Sequence, residues 1–232
     1  MTPWRRDSRA VQTGSRKPSG TLPRSWPRIP DARTRALDDF RDHDGRVSRY
    51  APLVAGPVLG VELPGPLSDE RLERLRRMLS HISDRFVEER PGHFDLSVVA
   101  ESLGVVDFDQ ERSRPFLVIT AGPGVGDEET FEAEHADLPN LEPVIGFTPT
   151  HDVSIIAMCN GRVDHMVTAL LTAEVMALVD GVVSIEIHHW QAPAIRDLPG
   201  LIAITPGPVC TAYGTSELVR AWVAHPNFQL VK

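Results

Sequence analysis

Apolar residues recur at two different periods along residues 55–232, and the change between these periods predicts a sheet with helices packed on it. Positions 58–63 alternate between apolar and other residues, which is typical of a strand. Ser68 then stands at an N-cap position. From there, apolar spacings of three and four residues across 72–86 predict one amphipathic helix of about five turns.

The chain then gives two strand patterns followed by a long polar stretch. The pair Pro91-Gly92 ends the first unit, and residues 94–98 and 116–120 predict strands. Residues 121–150 contain seven acidic residues and no Lys or Arg, and they predict a long loop. A loop of this length in a compact domain is either functional or mobile.

A second unit repeats the order of the first. Residues 153–158 are nearly all apolar and predict a central strand that is buried on both faces. The following helical pattern is apolar over most of its circumference, so we expect it to be more buried than the first helix; its polar stripe consists of Asp164, Thr168, Thr172 and Glu174. Further strands are predicted at 183–187, 201–205 and 209–213, then a helix from Thr215 to Trp222 and a terminal strand at 228–231.

Two strand–helix–strand–strand units and a final helix predict an α/β or α+β fold. The expected architecture is a single mixed β-sheet with about three packed helices. The short connections and the hydrophobic fraction of 41% are enough for one real core. We therefore expect one globular domain over residues 55–232.

Charge divides the chain into two unequal parts. Residues 1–50 hold 12 Lys and Arg against six Asp and Glu, a net charge of +6, whereas residues 51–232 carry a net charge of −14. Segment 1–54 is rich in Arg and Pro and poor in aliphatic residues, so we expect a disordered basic tail. Arginines attract phosphates, so a nucleic-acid contact is an alternative for this tail, but it is not expected for the acidic domain.

Several protein classes are excluded by simple counts. No apolar run approaches the roughly 20 residues needed to span a bilayer, so an integral membrane protein is excluded. No membrane partner is expected for the domain, and a membrane-surface contact is an alternative for the basic tail alone. Two cysteines among 232 residues cannot form a disulfide scaffold. No signal segment is recognisable, and we expect a cytoplasmic location.

Tests for metal and cofactor motifs give no positive prediction. The Gly-rich stretch 122–126 follows a strand, but no Lys-Ser/Thr comes after it, and the acids at 127–129 would repel phosphate. His188 and His189 are adjacent and would point to opposite faces of a strand. We therefore expect neither a metal nor a cofactor.

Polar residues concentrate in the segment 159–165, between the predicted central strand and the buried helix. Ligands often bind at such a position in open α/β sheets, so Asn160, Arg162, Asp164 and His165 are candidate binding residues. The alternative is a helix cap, in which Asn160 satisfies backbone amides and Asp164 favours the positive end of the helix dipole.

A catalytic interpretation of the same segment is also possible. His165 and Asp164 are the main candidates, with Cys159 as a nucleophile if the imidazole reaches it. Glu186 and His188 share a predicted strand face and offer a second pairing.

The domain resembles a family of small, uncharacterised bacterial proteins. The resemblance covers about residues 55–232 and rests on Cys-Asn-x-Arg-Val-Asp-His at 159–165, Asp180-Gly181, and the C-terminal pattern from Arg220 to Lys232. It implies no activity, cofactor or catalytic residue. In size and style the domain is also similar to immunity proteins of contact-dependent toxin systems.

Three hypotheses for function follow. The first is an acidic protein-binding module, such as an immunity protein or antitoxin that neutralises a basic toxin, with Glu128, Glu129, Glu132 and Glu134 as contact residues. The second is a small enzyme built on the catalytic candidates above. The third is a small-molecule sensor.

Overall fold

The fold is given by a computed structural model that describes residues 56–106, 112–136, 140–207 and 209–231. The predicted basic tail 1–54 lies outside the described residues, so its disorder stays a prediction. No helix in the described ranges is long and apolar enough to cross a membrane.

The described residues form one eight-stranded sheet. Its strands are β1 (Val58–Leu63), β2 (Ser83–Arg90), β3 (His93–Val99), β4 (Ser113–Ala121), β5 (His151–Ala157), β6 (Val182–Ile187), β7 (Leu201–Thr205) and β8 (Cys210–Gly214). Their order across the sheet is β2-β3-β4-β5-β1-β6-β8-β7. The predicted single sheet and the α+β alternative are confirmed, and every pair of neighbouring strands runs antiparallel where a mixed sheet was expected.

Helices lie on both faces of this sheet. They are α1 (Asp69–His81), a 3₁₀ helix (Ala100–Leu103), α2 (Glu128–His135), α3 (Glu142–Ile145), α4 (Arg162–Val179), α5 (Ala192–Ile195) and α6 (Ser216–Val223). Helix α4 contacts both α1 and α6 on one face, called the inner face here. Helices α2 and α3 connect β4 to β5 and pack on the opposite, outer face.

The inner face forms the main hydrophobic core. Inward side chains of the central strands, such as Val61, Phe116 and Val153, are fully buried against α4. Eleven of the 18 residues of α4 are buried, which agrees with the prediction that this helix is more buried than α1.

The first helix is shorter than its apolar spacing predicts. It begins after the expected N-cap Ser68 but ends at His81, and Phe86 belongs to strand β2 instead. Strand β2 pairs with β3 across the Pro91-Gly92 turn, and the Phe86 ring lies 5.7 Å from that of Phe94. Because pairing to β3 is a long-range interaction, it overrides the local helical period and adds a third strand after α1.

The predicted long loop 121–150 contains two short helices. Phe131 of α2 is buried, and Leu141 and Ile145 form a small second core with Val182 and Tyr213 on the outer face. These few apolar side chains pack α2 and α3 against the sheet, although the segment is too polar to show a helical period in its sequence.

Residues 228–231 form no strand, which differs from the terminal strand predicted there. Leu230 is 2% exposed, and the Phe228 ring packs edge-on against Trp222 at 5.9 Å. The segment therefore covers the core near α6.

Truncation after Ala224 is expected to lower the midpoint of thermal unfolding, because it removes the buried Leu230 and the partly buried Phe228. The point variant Leu230→Ala should cost about 2–5 kcal/mol of unfolding free energy, measured by urea denaturation. The neighbouring exposed residue gives the control: Gln229→Ala should change stability by less than about 0.5 kcal/mol. Equal effects of the two point variants would contradict the proposed anchoring.

Candidate functional site

The polar segment 159–165 forms the connection from β5 into α4. The N-cap is Gly161, and its backbone N–H donates to Oδ2 of Asp164 at 2.6 Å. The cap interpretation of Asp164 is thus supported by geometry, while Asn160 is exposed and does not cap the helix in the expected way.

A buried ion pair joins Asp164 to strand β4. The guanidinium of Arg114 donates from Nε to Oδ1 at 2.7 Å and from Nη2 to Oδ2 at 2.9 Å. The Arg114 side chain is 11% exposed and that of Asp164 is fully buried. The two hydrogen bonds from Arg114 and the one from the Gly161 amide together satisfy the Asp164 carboxylate.

His165 ties the beginning of α4 to the C-terminal segment. Its Nδ1 accepts the backbone N–H of Leu230 at 3.2 Å, and its Nε2 donates to Oδ1 of Asn160 at 3.1 Å. One ring nitrogen accepts and the other donates, so the imidazole is neutral. Burial lowers the pKa of His165 despite the nearby Asp164 charge, which agrees with this neutral form.

The other candidate residues that the sequence predicted in this region, Cys159 and Arg162, do not converge on one site. Cys159 is half-buried and Arg162 is exposed at the first position of α4. Because both ring nitrogens of His165 already have partners, the predicted activation of Cys159 by His165 finds no support in the geometry.

The second pairing proposed from the sequence, Glu186 with His188, does not lie within one strand. Glu186 lies on β6, whereas His188 follows the strand and its backbone N–H donates to Gln191. The contact that does form here is between Nδ1 of His189 and Sγ of Cys210, at 3.1 Å. Sequence reasoning missed this contact because it needs the pairing of β6 with β8.

Helix α2 presents the acidic surface. Its four glutamates, Glu128, Glu129, Glu132 and Glu134, are all exposed. Phe131 of the same helix is buried against the sheet, and the charge of Glu134 acts on the buried Asp152. The predicted acidic contact residues are therefore brought together on one short helix instead of along a loop.

Beneath α2 lies a buried cluster that the sequence did not reveal, formed by Glu62, Asp152 and His135 and called the carboxylate–imidazole cluster here. Glu62 of β1 and Asp152 of β5 are direct cross-strand partners, and each is 4% exposed. Nε2 of His135 lies 2.9 Å from Oε2 of Glu62, and its Nδ1 lies 2.8 Å from the Phe131 carbonyl oxygen.

The geometry of His135 sets its protonation. A carbonyl oxygen only accepts, so Nδ1 must carry a proton, and a hydrogen bond from Nε2 to the Glu62 carboxylate needs a second one. Burial alone would lower the pKa of His135, but the hydrogen bond and the charge of Glu62 outweigh burial and raise it. The imidazolium form is thus favoured in the folded protein.

Asp152 is the least satisfied member of the cluster. Its Oδ2 accepts a hydrogen bond from Ser154 at 3.2 Å, while its buried Oδ1 has no hydrogen-bond partner in the described part of the chain. Burial, and then the charges of Glu62 and Glu134, raise its pKa to about 7. Burial and the charge of Glu62 also raise the pKa of Tyr213 on β8.

A cleft of about 270 Å³ opens beside this cluster at one end of the sheet. Leu63, Leu67 and Leu72 form its apolar wall, and Arg90 and His151 contribute polar atoms. Within the ranges described, no group of three or more His, Cys, Asp or Glu side chains is arranged to hold a metal ion.

The glycine-rich stretch 122–126 forms one side of this cleft as a tight loop. Gly122 N–H donates to the Gly126 carbonyl at 3.1 Å. Gly126 has a φ of +108°, and a Cβ there would lie 2.0 Å from Nη1 of Arg90. Arg90 in turn pairs with Asp127, so the loop packs on an ion pair.

Fold and site together define an α+β protein whose antiparallel sheet carries an acidic helix on its outer face. Over residues 55–232 the chain matches DUF6368, a family of unknown function, and it belongs to that family. This match confirms the resemblance to an uncharacterised family that the motifs indicated. Searches of curated proteins and of solved structures found no match.

Replacing Asp164 by Asn should lower the free energy of unfolding by about 3–5 kcal/mol, because it leaves the Arg114 charge buried without its counter-ion. Urea denaturation measures this change. The control is Asp180→Asn, which removes an exposed pairing with Arg71 and should cost at most about 1 kcal/mol.

A second variant separates charge from packing. Adding Arg114→Leu to Asp164→Asn should recover part of the lost stability, because no buried charge then lacks a partner. Additive losses in the double variant would show that the pair contributes through packing alone.

Proposed function

We propose that this protein is an acidic protein-binding module that contacts a basic partner through helix α2. The observation that carries the proposal is the exposure of all four α2 glutamates on one element. No Lys or Arg occurs between Arg114 and Arg162, so the sequence around this helix supplies no positive charge to oppose the field of the glutamates. Such a surface attracts a basic protein and accelerates its association.

The way α2 is held supports its use as a contact element. Phe131 and His135 attach the helix to the outer face of the sheet, and the glutamates therefore stay directed to solvent. When the helix is held on the sheet in this way before a partner arrives, little conformational entropy is lost on binding.

The inner-face candidates support binding over catalysis. Asp164 is engaged by Arg114 and the Gly161 amide, and His165 is engaged by Asn160 and Leu230. Side chains used in this way stabilise the junction of β4, α4 and the C-terminal segment. We therefore favour the binding module over the enzyme built on Asp164 and His165.

The partner that this surface fits best is a basic protein whose function depends on a cationic cleft, and a toxin nuclease is the example we propose. Such a cleft binds phosphates, and an acidic helix presents carboxylates at a comparable charge density. The module would then act as an immunity protein or antitoxin by occupying that cleft.

The test uses the immobilised full chain and an extract of its native host. We expect a basic protein to be retained at about 50 mM salt and released at about 500 mM salt, because salt screens exposed charges. Retained proteins are identified by mass spectrometry. If no basic protein is retained at low salt, the proposal fails.

Charge variants then locate the contact. Replacing Glu128, Glu129 and Glu132 by Gln should lower the association rate constant for the purified partner about ten-fold or more, measured by surface plasmon resonance. The matched control removes three exposed acids elsewhere through Glu70→Gln, Asp197→Asn and Glu217→Gln. Equal losses in both triple variants would mean that net charge, and not α2, directs association.

A further inference from the structure

The carboxylate–imidazole cluster places two carboxyl groups side by side in a buried position with one imidazole above them. Glu62 and Asp152 face each other on neighbouring strands, and the imidazole of His135 reaches Glu62 from α2. Glu134 of α2 and Tyr213 of β8 are the other titratable groups whose charges or shifts involve this cluster. Arg90 and His151 line the cleft together with Asp152.

The charges of Glu62, Asp152 and His135 cannot all be neutralised in this geometry. One imidazolium neutralises one carboxylate, and the second carboxylate then lies buried beside a like charge. Oδ1 of Asp152 also lacks a hydrogen-bond donor in the described ranges, so nothing stabilises its ionised form at that atom. The arrangement with the fewest uncompensated charges therefore has a neutral, protonated Asp152 beside the hydrogen-bonded pair of Glu62 and His135.

We propose that the carboxylate–imidazole cluster is a proton-operated attachment that holds helix α2 on the sheet at mildly acidic pH and releases it as the pH rises. Loss of the Asp152 proton places two buried negative charges together under α2. Loss of the His135 proton turns a hydrogen bond into a contact between two lone pairs, at Nε2 and Oε2 of Glu62. Both changes weaken the same attachment.

Apart from this cluster, α2 buries little apolar surface against the sheet. The protonation of the cluster can therefore control whether the helix stays attached. Phe131 is the one residue of this helix that is buried, and its ring stacks on His135 with the centroids 4.0 Å apart. The position of the aromatic anchor is thereby coupled to the imidazole. The inner-face core is independent of this coupling because it lies on the other side of the sheet.

The direction of the pH dependence follows from linkage. The pKa of Asp152 is about 7 when α2 is closed, and it returns toward its ordinary value near 4 when α2 opens and the carboxyl meets water. Between these values the open state gains relative to the closed state by up to ten-fold for each pH unit. The raised pKa of His135 acts in the same direction, since its stabilising effect is also lost as the pH rises through it.

Hydrogen exchange of the full chain tests this proposal without any partner, so its result is separate from that of the binding experiment. We expect the protection factors of α2 amides, corrected for intrinsic exchange, to fall at least ten-fold between about pH 5.5 and pH 8. Amides of β3 and β4 should keep their protection. Unchanged protection of α2 across this range would overturn the proposal.

Two variants assign the effect to the cluster. Asp152→Asn removes the Asp152 proton but keeps His135, so the decrease in α2 protection over the same range should be at least three-fold smaller than in the wild type. Glu132→Gln removes an exposed acid from the same helix and should keep the wild-type decrease. A wild-type decrease in Asp152→Asn would also overturn the assignment.

A direct titration keeps the test valid if Asp152→Asn does not fold. The side-chain carboxyl of Asp152 in the wild-type protein is followed by ¹³C NMR, and its midpoint is expected near pH 7. A midpoint near the ordinary value of an aspartic acid would show that Asp152 is ionised under α2 without consequence, and the proposal would then be wrong.

Discussion

Packing of one helix against the inner face of the sheet is the constraint on which the rest of the structure depends. Helix α4 contacts β1 and β5 at the centre of the sheet and also contacts α1 and α6. A helix buried from several sides cannot leave polar groups unsatisfied. Its buried Thr168 and Thr172 hydroxyls accordingly donate to carbonyls one turn earlier, and Asp164 is neutralised by Arg114.

The outer face of the sheet is packed differently from the inner face, because only short helices cover it. Helix α3 contributes a small apolar core, and α2 contributes one aromatic anchor and a row of exposed carboxylates. Strand residues that would face solvent in a one-layer sheet are therefore buried here, and Glu62 and Asp152 are the main examples. The pairing of β1 with β5 brings these like charges together, and the covering helix buries them.

This division separates stability from recognition in the molecule. The polar residues of the inner face, such as Asp164 and His165, act as parts of the core and its end connections. The polar residues of the outer face include the exposed glutamates of α2 and the buried Glu62 and Asp152 beneath it. A binding surface on the outer face can thus vary in charge or in position while α4 and its neighbours stay unchanged.

The sequence by itself determined the strand patterns, the N-cap Ser68, the deep burial of α4 and the concentration of acid in 121–150, because each depends on local spacing and composition. Only the tertiary structure decided that Phe86 belongs to a strand and that Asp164 pairs with Arg114, fifty residues away in the chain. It also decided the meeting of Glu62 with Asp152. Such contacts depend on strand order and register, which arise from long-range pairing and leave no periodic trace in the amino-acid sequence.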